Sequence, residues 1–216
     1  MLIPTLAISG NYAVEERDIT HISFTVVDLM VTQLFKMEAW MEEGIFRLSG
    51  SKSAMERVYN SFKNANPSMD GADIHDIASA FKHYLRGLED PLIPMALYES
   101  LIATHRTFPF SPVANSELLG KGKGETPCFD VPKLIQTLQQ LPSVNFRSLR
   151  RLMDLCARIV KDESINKMNP RNLGIVFGPT LLRSRDPYVD FANSGIHALI
   201  ISTLIESPAT FFPSSL

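Results

Sequence analysis

The sequence predicts a single all-α domain of about eight helices with one long surface loop. Apolar residues recur three and four positions apart along most of the chain, and no region alternates polar and apolar residues for long. With 216 residues, 45% of them hydrophobic and 20% charged, the chain can bury one sizeable core without disulfides or metals. We expect residues 22–212 to form this domain and residues 1–21 to form an N-terminal extension that can pack on it.

Apolar stripes, meaning apolar residues spaced along one helix face, locate the elements in order. They predict helices within residues 27–35, 55–62, 74–85, 94–102, 134–138, 149–160, 169–178 and 196–204. Ser53 and Glu56 form a capping-box pattern before the second stripe, and Gly87 followed by Pro91 predicts the end of the third. The loop at about residues 108–128 contains the low-complexity run GKGKGE.

Asn169 and Pro170 predict the start of the seventh helix. An asparagine at the N-cap with proline in the first turn is a frequent combination at helix starts. Pro179 predicts where that helix ends, since proline lacks the backbone N–H that continues the ladder.

Composition and motifs exclude several classes of function. The net charge of -2 gives no general attraction for nucleic acid or for anionic membranes. The two cysteines, Cys128 and Cys156, exclude a zinc site built on cysteine pairs, and the five histidines show no metal-ligand spacing. The GKGKGE run lacks the Gly-Lys-Ser or Gly-Lys-Thr of a phosphate-binding loop, and no Gly-x-Ser-x-Gly elbow is present. No signal peptide or bilayer-spanning run is evident, so we expect a cytoplasmic protein that does not insert into membranes.

Arg47 is the first candidate functional residue. It lies between Gly44 and Gly50 with large apolar neighbours on both sides, so the segment can be anchored to a core while the cation is presented outward. Its planar, permanently charged guanidinium suits a cluster of negative oxygens. An ordinary loop arginine paired with a carboxylate would give the same local pattern.

Lys82 and Arg86 are four residues apart on the third predicted helix and therefore share one face. Like charges at this spacing repel by roughly 0.2–0.5 kcal/mol, which a fold tolerates. The pair is consistent with a solvated basic edge or with a docking edge for a negative partner. Near the seventh helix, Asn166 and Asn172 have no capping duty visible in the sequence, and their amides could bind a partner's backbone.

Four ordered motifs together resemble the RhoGAP domain, the GTPase-activating module for Rho-family small GTPases. The match extends over about residues 22–210, and any one of its motifs alone would be weak. The motifs are EGIFRLSG at 43–50, FKHYLRGLEDPL at 81–92, Leu141-Pro142 with Asn145 and the helix from Leu149, and NKM at 166–168 followed by NLGIVFGP at 172–179.

The resemblance implies an all-helical activator that has no catalysis of its own and needs no cofactor, since GTP and Mg²⁺ belong to the partner. The implied partner is a Rho-family GTPase in its GTP-bound form, and we expect a monomer that binds no nucleic acid. Arg47 occupies the position of the family's arginine finger, and Lys82, Arg86, Asn166 and Asn172 match residues that support the finger or contact the GTPase.

The sequence departs from the family pattern in two places. Residues 87–91 read GLEDP where the family often has an acidic residue and then Leu-Pro-Glu-Pro, and Thr180 stands where asparagine is frequent. Neither change touches Arg47. The alternative function is a catalytically silent module that binds a GTPase, and an autonomous hydrolase lacks any supporting motif.

Overall fold

Eleven α-helices make up most of the computed structural model, which describes residues 22–64, 66–105 and 129–213. Two short 3-10 helices, Ala39–Met41 and Met95–Leu97, lie between them. Within the described ranges, β-type pairing is limited to one isolated bridge between His105 and Phe129. The α-helices are α1 Phe24–Lys36, α2 Lys52–Lys63, α3 Ile74–Gly87, α4 Tyr98–Ile102, α5 Val131–Leu138, α6 Ser143–Lys161, α7 Glu163–Asn166, α8 Pro170–Leu181, α9 Pro187–Ala192, α10 Ser194–Glu206 and α11 Pro208–Phe211.

The all-α prediction is confirmed, and each of the eight apolar stripes falls in a helix. The additional helices are α7, α9 and α11, which are four to six residues long. A helix of that length has too few turns to show a three- and four-residue periodicity, which is why the stripes missed them. The predicted N-terminal extension and the loop at about 108–128 lie outside the described residues.

Two predicted helix boundaries are wrong. The capping box at Ser53 and Glu56 does not form, because α2 begins two residues earlier than that pattern requires, at Lys52, with Ser51 as its N-cap. Pro179 does not end α8, which continues to Leu181. The helix tolerates proline this close to its end, and the hydroxyl of Thr180 donates to the Val176 carbonyl oxygen at 3.2 Å in the same turn.

A reciprocal capping box does form at the start of α3. The Asp73 carboxylate accepts from the backbone N–H of Asp76 at 2.8 Å, and the Asp76 carboxylate accepts from the backbone N–H of Asp73 at 3.0 Å. The N–H group of Asp76 in the first turn and that of the N-cap Asp73 would otherwise lack partners. The start of α3 is thereby fixed locally.

One hydrophobic core joins the long helices. Helix α1 packs on α3 and α6, α2 packs on α3, and α8 lies between α3 and α10. No helix in the described ranges is long and apolar enough to cross a membrane. The largest fully buried side chains include Met30, Phe46, Ile77, Phe81, Tyr84, Leu85 and Phe177.

Helices α8 and α10 approach each other through two glycines. A Cβ atom at Gly174 would lie 2.3 Å from the Ala198 carbonyl oxygen, and one at Gly178 would lie 3.1 Å from the Ala198 backbone nitrogen. Backbone atoms cannot move aside as the end of a flexible side chain can, so these positions require glycine for space. The two glycines therefore allow the backbones of α8 and α10 to approach closely.

We expect Gly174→Ala to lower the free energy of unfolding by about 2–4 kcal/mol, because the added methyl group must displace the backbone of α10. Gly195→Ala is the matched control, since a Cβ there meets nothing within 4 Å. The control should be neutral or stabilising by up to about 1 kcal/mol through helix propensity. Urea unfolding of both variants tests this, and equal stabilities would contradict the packing argument.

Candidate functional site

The segment from Gly44 to Leu48 is a tight loop that turns Arg47 outward. Ile45 and Phe46 are fully buried, whereas Arg47 and Leu48 are exposed. The backbone N–H groups of Arg47 and Leu48 both donate to the Gly44 carbonyl oxygen, at 2.9 and 2.8 Å. Because the two preceding side chains enter the core, the turn leaves the Arg47 side chain at the surface.

Two residues of this loop have left-handed backbone conformations. Gly44 has φ 68°, and a Cβ atom there would also lie 2.8 Å from Leu48 Cγ. Phe46 has φ 66°, which costs a non-glycine residue on the order of 1–3 kcal/mol. Its ring packs edge-on against Phe177 of α8, with centroids 4.9 Å apart. Burial of the Phe46 ring offsets the strained backbone.

Lys82 of α3 holds the loop from its buried side. Its side chain is only 8% exposed, and its ammonium donates a hydrogen bond to the Phe46 carbonyl oxygen. Burial, and after it the positive charge of Arg86, lowers the pKa of Lys82. The lysine thus binds the carbonyl immediately before Arg47.

The residues after the loop are attached to the same helix. The backbone N–H of Gly50 donates to the Ser79 hydroxyl at 3.1 Å, and that of Ser51 donates to the Asp76 carboxylate at 2.7 Å. A Cβ atom at Gly50 would lie 2.4 Å from Asp76 Oδ1, so this close approach requires glycine. The Asp76 carboxylate therefore serves both the helix cap and the loop.

Glu42, which precedes the loop, contacts α3 as well. Its carboxylate lies 3.0 Å from Nε2 of His75, the second residue of that helix. Both ends of the loop are consequently tied to α3, which also carries Lys82.

Asn166 lies directly behind the loop and is fully buried. Its side-chain amide donates to the carbonyl oxygens of Trp40 at 2.8 Å and Ile159 at 2.7 Å, and its side-chain oxygen accepts from the Met168 N–H at 2.8 Å. Its backbone carbonyl accepts from the Gly44 N–H at 2.8 Å. Asn166 therefore joins the end of α7 to both the loop and the 3-10 helix before it.

The Trp40 ring is held between two neighbours. The Arg158 guanidinium lies over it, 4.3 Å from the ring centroid, and the Phe35 ring packs against it with centroids 5.9 Å apart. Arg158 also bonds the Asp162 carboxylate. Cation–π contact of this kind stabilises the short helix that leads into the loop.

Asn172 has a local structural role in the described part of the chain. Its side-chain amide donates to the Lys167 carbonyl oxygen at 3.0 Å, and Lys167 itself has a left-handed φ of 61°. The Asn172 N–H receives the predicted cap from the Asn169 side chain at 2.8 Å, which confirms Asn169 as the N-cap of α8. Asn172 is half-buried, so part of it stays at the surface.

Arg86 lies one turn beyond Lys82 on α3 and is exposed. Its Nε donates to the Thr180 hydroxyl at 3.3 Å, which links α3 to the end of α8. The structure thus joins Arg47, Lys82 and Asn166 through the loop backbone and places Arg86 at the adjoining edge. Asn172 is connected to them through Lys167, the neighbour of Asn166.

Several residues of the site were not singled out by the sequence. Trp40, Ser79 and Asp76 bind the loop or its supports, and Arg183 contacts the end of α3. Only the Asp73 and Asp76 spacing could have indicated one of them, as a variant of the capping box. The others depend on contacts between distant segments.

The chemistry available at the site is that of a presented cation. Among the described residues, no group of three or more His, Cys, Asp or Glu side chains is arranged to hold a metal ion. Cys156 is fully buried in α6, and burial raises the pKa of its thiol. Arg47 can stabilise negative charge on a partner's atoms, because its guanidinium stays positively charged and keeps its N–H donors at any accessible pH.

The fold and the loop together define a helical domain that offers one buttressed, exposed arginine. A family model described as the RhoGAP domain matches residues 25–186. The chain is 36% identical over 168 residues to Rho GTPase-activating protein gacHH of Dictyostelium discoideum, and 33% identical over 194 residues to Rho GTPase-activating protein 45 of Xenopus laevis. The chain therefore belongs to the RhoGAP family of GTPase-activating domains.

The alignments cover 76% and 81% of the chain but only 10% and 17% of those two relatives. The chain thus spans a small part of the length of the proteins it matches. The BH domain from GRAF, the GTPase regulator associated with focal adhesion kinase, has the same fold, with a TM-score of 0.72, 24% identity and coverage of 92% of this chain and 97% of that one. Human Rho GTPase activating protein 15 superposes with a TM-score of 0.68 at 23% identity over 89% of this chain and 84% of that one.

We expect Asn166→Ala to lower the free energy of unfolding by about 3–5 kcal/mol, because it removes three hydrogen bonds of a fully buried side chain and leaves the buried Met168 N–H without its acceptor. Asn172→Ala is the control and should cost less than about 1 kcal/mol, since its single side-chain bond is exposed. Denaturant unfolding measures both changes. Similar losses of unfolding free energy in the two variants would show that burial does not decide how much each asparagine contributes.

Proposed function

We propose that this domain accelerates GTP hydrolysis by a Rho-family small GTPase, with Arg47 entering the partner's nucleotide site as an arginine finger. The observation that carries the proposal is the loop itself. An exposed arginine follows two fully buried residues, bonds to α7 and α3 hold the backbone before it, and the Gly50 N–H bonds Ser79 of α3 after it. A side chain placed in this way is accessible at the surface on a backbone that does not need to reorganise.

The chemistry fits a cation supplied in trans. Transfer of the γ-phosphoryl group to water spreads negative charge over phosphoryl oxygens, and the protein's contribution is positioning and electrostatic stabilisation. An arginine finger is worth about 10³–10⁵ in rate, or roughly 4–7 kcal/mol of activation free energy. Arg47 abstracts no proton in this scheme, and the partner's own residues orient the attacking water.

The remaining site residues divide between support and docking. Lys82 holds the Phe46 carbonyl and Asn166 holds the Gly44 N–H, so both act on the finger through its backbone. Arg86 and the exposed part of Asn172 contact the GTPase, together with the exposed apolar side chains of Leu48 on the loop and Ile175 on α8. Apolar surface beside basic groups is suited to a partner interface.

The domain acts as an activator, without autonomous catalysis, on a GTPase in its GTP-bound form. GTP and Mg²⁺ belong to that partner, and the γ-phosphate is present only in the state that Arg47 acts on. We further propose that the domain works as a monomer in the cytoplasm. Any additional location or partner would come from other parts of a longer protein.

Single-turnover GTP hydrolysis by a panel of Rho-family GTPases tests the finger. Arg47→Ala should lower the maximal stimulated rate by about 10³-fold or more while leaving the domain folded and able to bind. Arg57→Ala is the control, since it removes the same charge from α2, where the guanidinium donates to the Gly71 carbonyl oxygen in an exposed hydrogen bond of 3.2 Å.

Full activity of Arg47→Ala would refute the finger. An unfolded Arg47→Ala, seen by circular dichroism, would make the arginine structural. Binding by the unaltered domain without stimulation of any GTPase would instead identify a silent interaction module.

We expect Lys82→Met to reduce stimulation by about 10–100-fold, less than loss of the finger, because Arg47 remains but its loop is no longer held through the Phe46 carbonyl. Methionine keeps the apolar volume and removes the donor. Lys52→Met on α2 is the control, with a side chain that is 85% exposed and pairs only loosely with Glu56. Stimulation by Lys82→Met equal to that by the control would show that the loop holds its shape without the lysine.

A further inference from the structure

We propose that Arg183 is a positioning residue that fixes the last turn of α3, and with it Arg86, for docking to the GTPase. The inference rests on the proposed function, because it assigns Arg86 to the docking edge. Arg183 lies two residues beyond α8, is half-buried, and was not among the residues that the sequence indicated.

The end of α3 needs partners from elsewhere in the fold. The last carbonyl groups of an α-helix have no intrahelical donors. Many helices turn back on themselves in a left-handed cap that supplies N–H groups. Here the C-cap residue Leu88 continues in an extended conformation, with φ -62° and ψ 136°, so the chain leads away from those carbonyls.

Arg183 supplies the missing donors. Its Nη1 donates to the Arg86 carbonyl oxygen at 3.1 Å, and its Nη2 donates to the Leu88 carbonyl oxygen at 2.6 Å. A permanently charged donor at the negative end of a helix dipole makes these bonds stronger than neutral ones. One guanidinium thus spans the end of α3 and the first residue after it.

The same end of α8 also holds the Arg86 side chain. Arg86 Nε donates to the Thr180 hydroxyl at 3.3 Å, and Thr180 is fully buried. The backbone of Arg86 is therefore bound by Arg183 and its side chain by Thr180. Restraint at both points reduces the conformational entropy that Arg86 loses when it binds a partner.

A role beyond packing is favoured by the unmet bonding of Arg183 itself. Its Nε is buried and has no hydrogen-bond partner in the described part of the chain. An unpaired buried donor is unfavourable for stability, so the position is not optimised for folding alone. The backbone bond from the Ile93 N–H to the Leu181 carbonyl oxygen, at 3.3 Å, joins the same two segments without Arg183.

The test uses a Rho-family GTPase that responds to the unaltered domain. Single-turnover hydrolysis is measured against domain concentration, which gives a half-saturating concentration and a maximal rate. Arg183→Ala should raise the half-saturating concentration roughly tenfold and change the maximal rate by less than about twofold, since Arg47 and Lys82 are untouched. Arg183→Lys keeps one charged donor and should recover part of the loss.

Arg185→Ala is the matched control. Arg185 is exposed, lies two residues away, and carries the same charge, but within the described residues it makes no hydrogen bond or ion pair with α3. If the two alanine variants weakened docking equally, general surface charge would explain the effect and the positioning role would be overturned. An unchanged half-saturating concentration in Arg183→Ala would also overturn it.

A double-mutant cycle with Arg86→Ala tests whether Arg183 acts through Arg86. The double variant should dock no more weakly than Arg86→Ala alone, because the group being positioned is already absent. Independent, additive losses would contradict the proposal. Circular dichroism and thermal unfolding accompany each variant, and loss of folding in Arg183→Lys would make Arg183 a purely structural clamp.

The two proposals can fail separately. If the unaltered domain accelerates no GTPase, the proposed function fails and this inference fails with it. If the unaltered domain accelerates hydrolysis and Arg183→Ala docks as well as it does, only the role of Arg183 is lost.

Discussion

The outward direction of Arg47 depends on the burial of Ile45 and Phe46. Both side chains enter the core, and Phe46 has a left-handed φ of 66° where the backbone turns back toward the surface. The Phe177 ring packs against the Phe46 ring, and the Lys82 ammonium donates a hydrogen bond to the Phe46 carbonyl oxygen. Packing in the core, more than any preference of the loop itself, therefore determines where the arginine points.

Helix α3 is the common reference for the whole site. Near its start Asp76 binds the Ser51 N–H, in its middle Ser79 and Lys82 bind the loop, and near its end Arg86 reaches α8. The capping box fixes one end of this helix, and Arg183, two residues beyond α8, donates to the carbonyl groups at the other. Since α8 is in turn set by its glycine contact with α10, a change in helix packing far from the surface would alter the spacing between the loop and the basic edge.

The sequence predicts the parts of this structure that depend on local spacing. Apolar periodicity locates the long helices, Asn169 is a cap as expected, and flanking glycines mark Arg47 as a loop residue. The role of Asn166 could not be predicted in this way. Its side-chain amide donates to the Trp40 carbonyl oxygen, 126 residues away in the chain, and no local pattern encodes that pairing. Ser53 shows another limit: serines at 51 and 53 offer competing helix starts, and tertiary packing decides between them.

Trp40 is the single tryptophan of the chain, and it lies four residues before Gly44, where the loop that carries Arg47 begins. Its carbonyl is bound by Asn166 and its indole ring lies under the Arg158 guanidinium, so the ring's surroundings change whenever the loop support is disturbed. Indole emission is sensitive to nearby charge and to water. The domain consequently carries an intrinsic optical probe at the base of the loop that presents Arg47, and the state of that loop can be followed in solution without attaching a label.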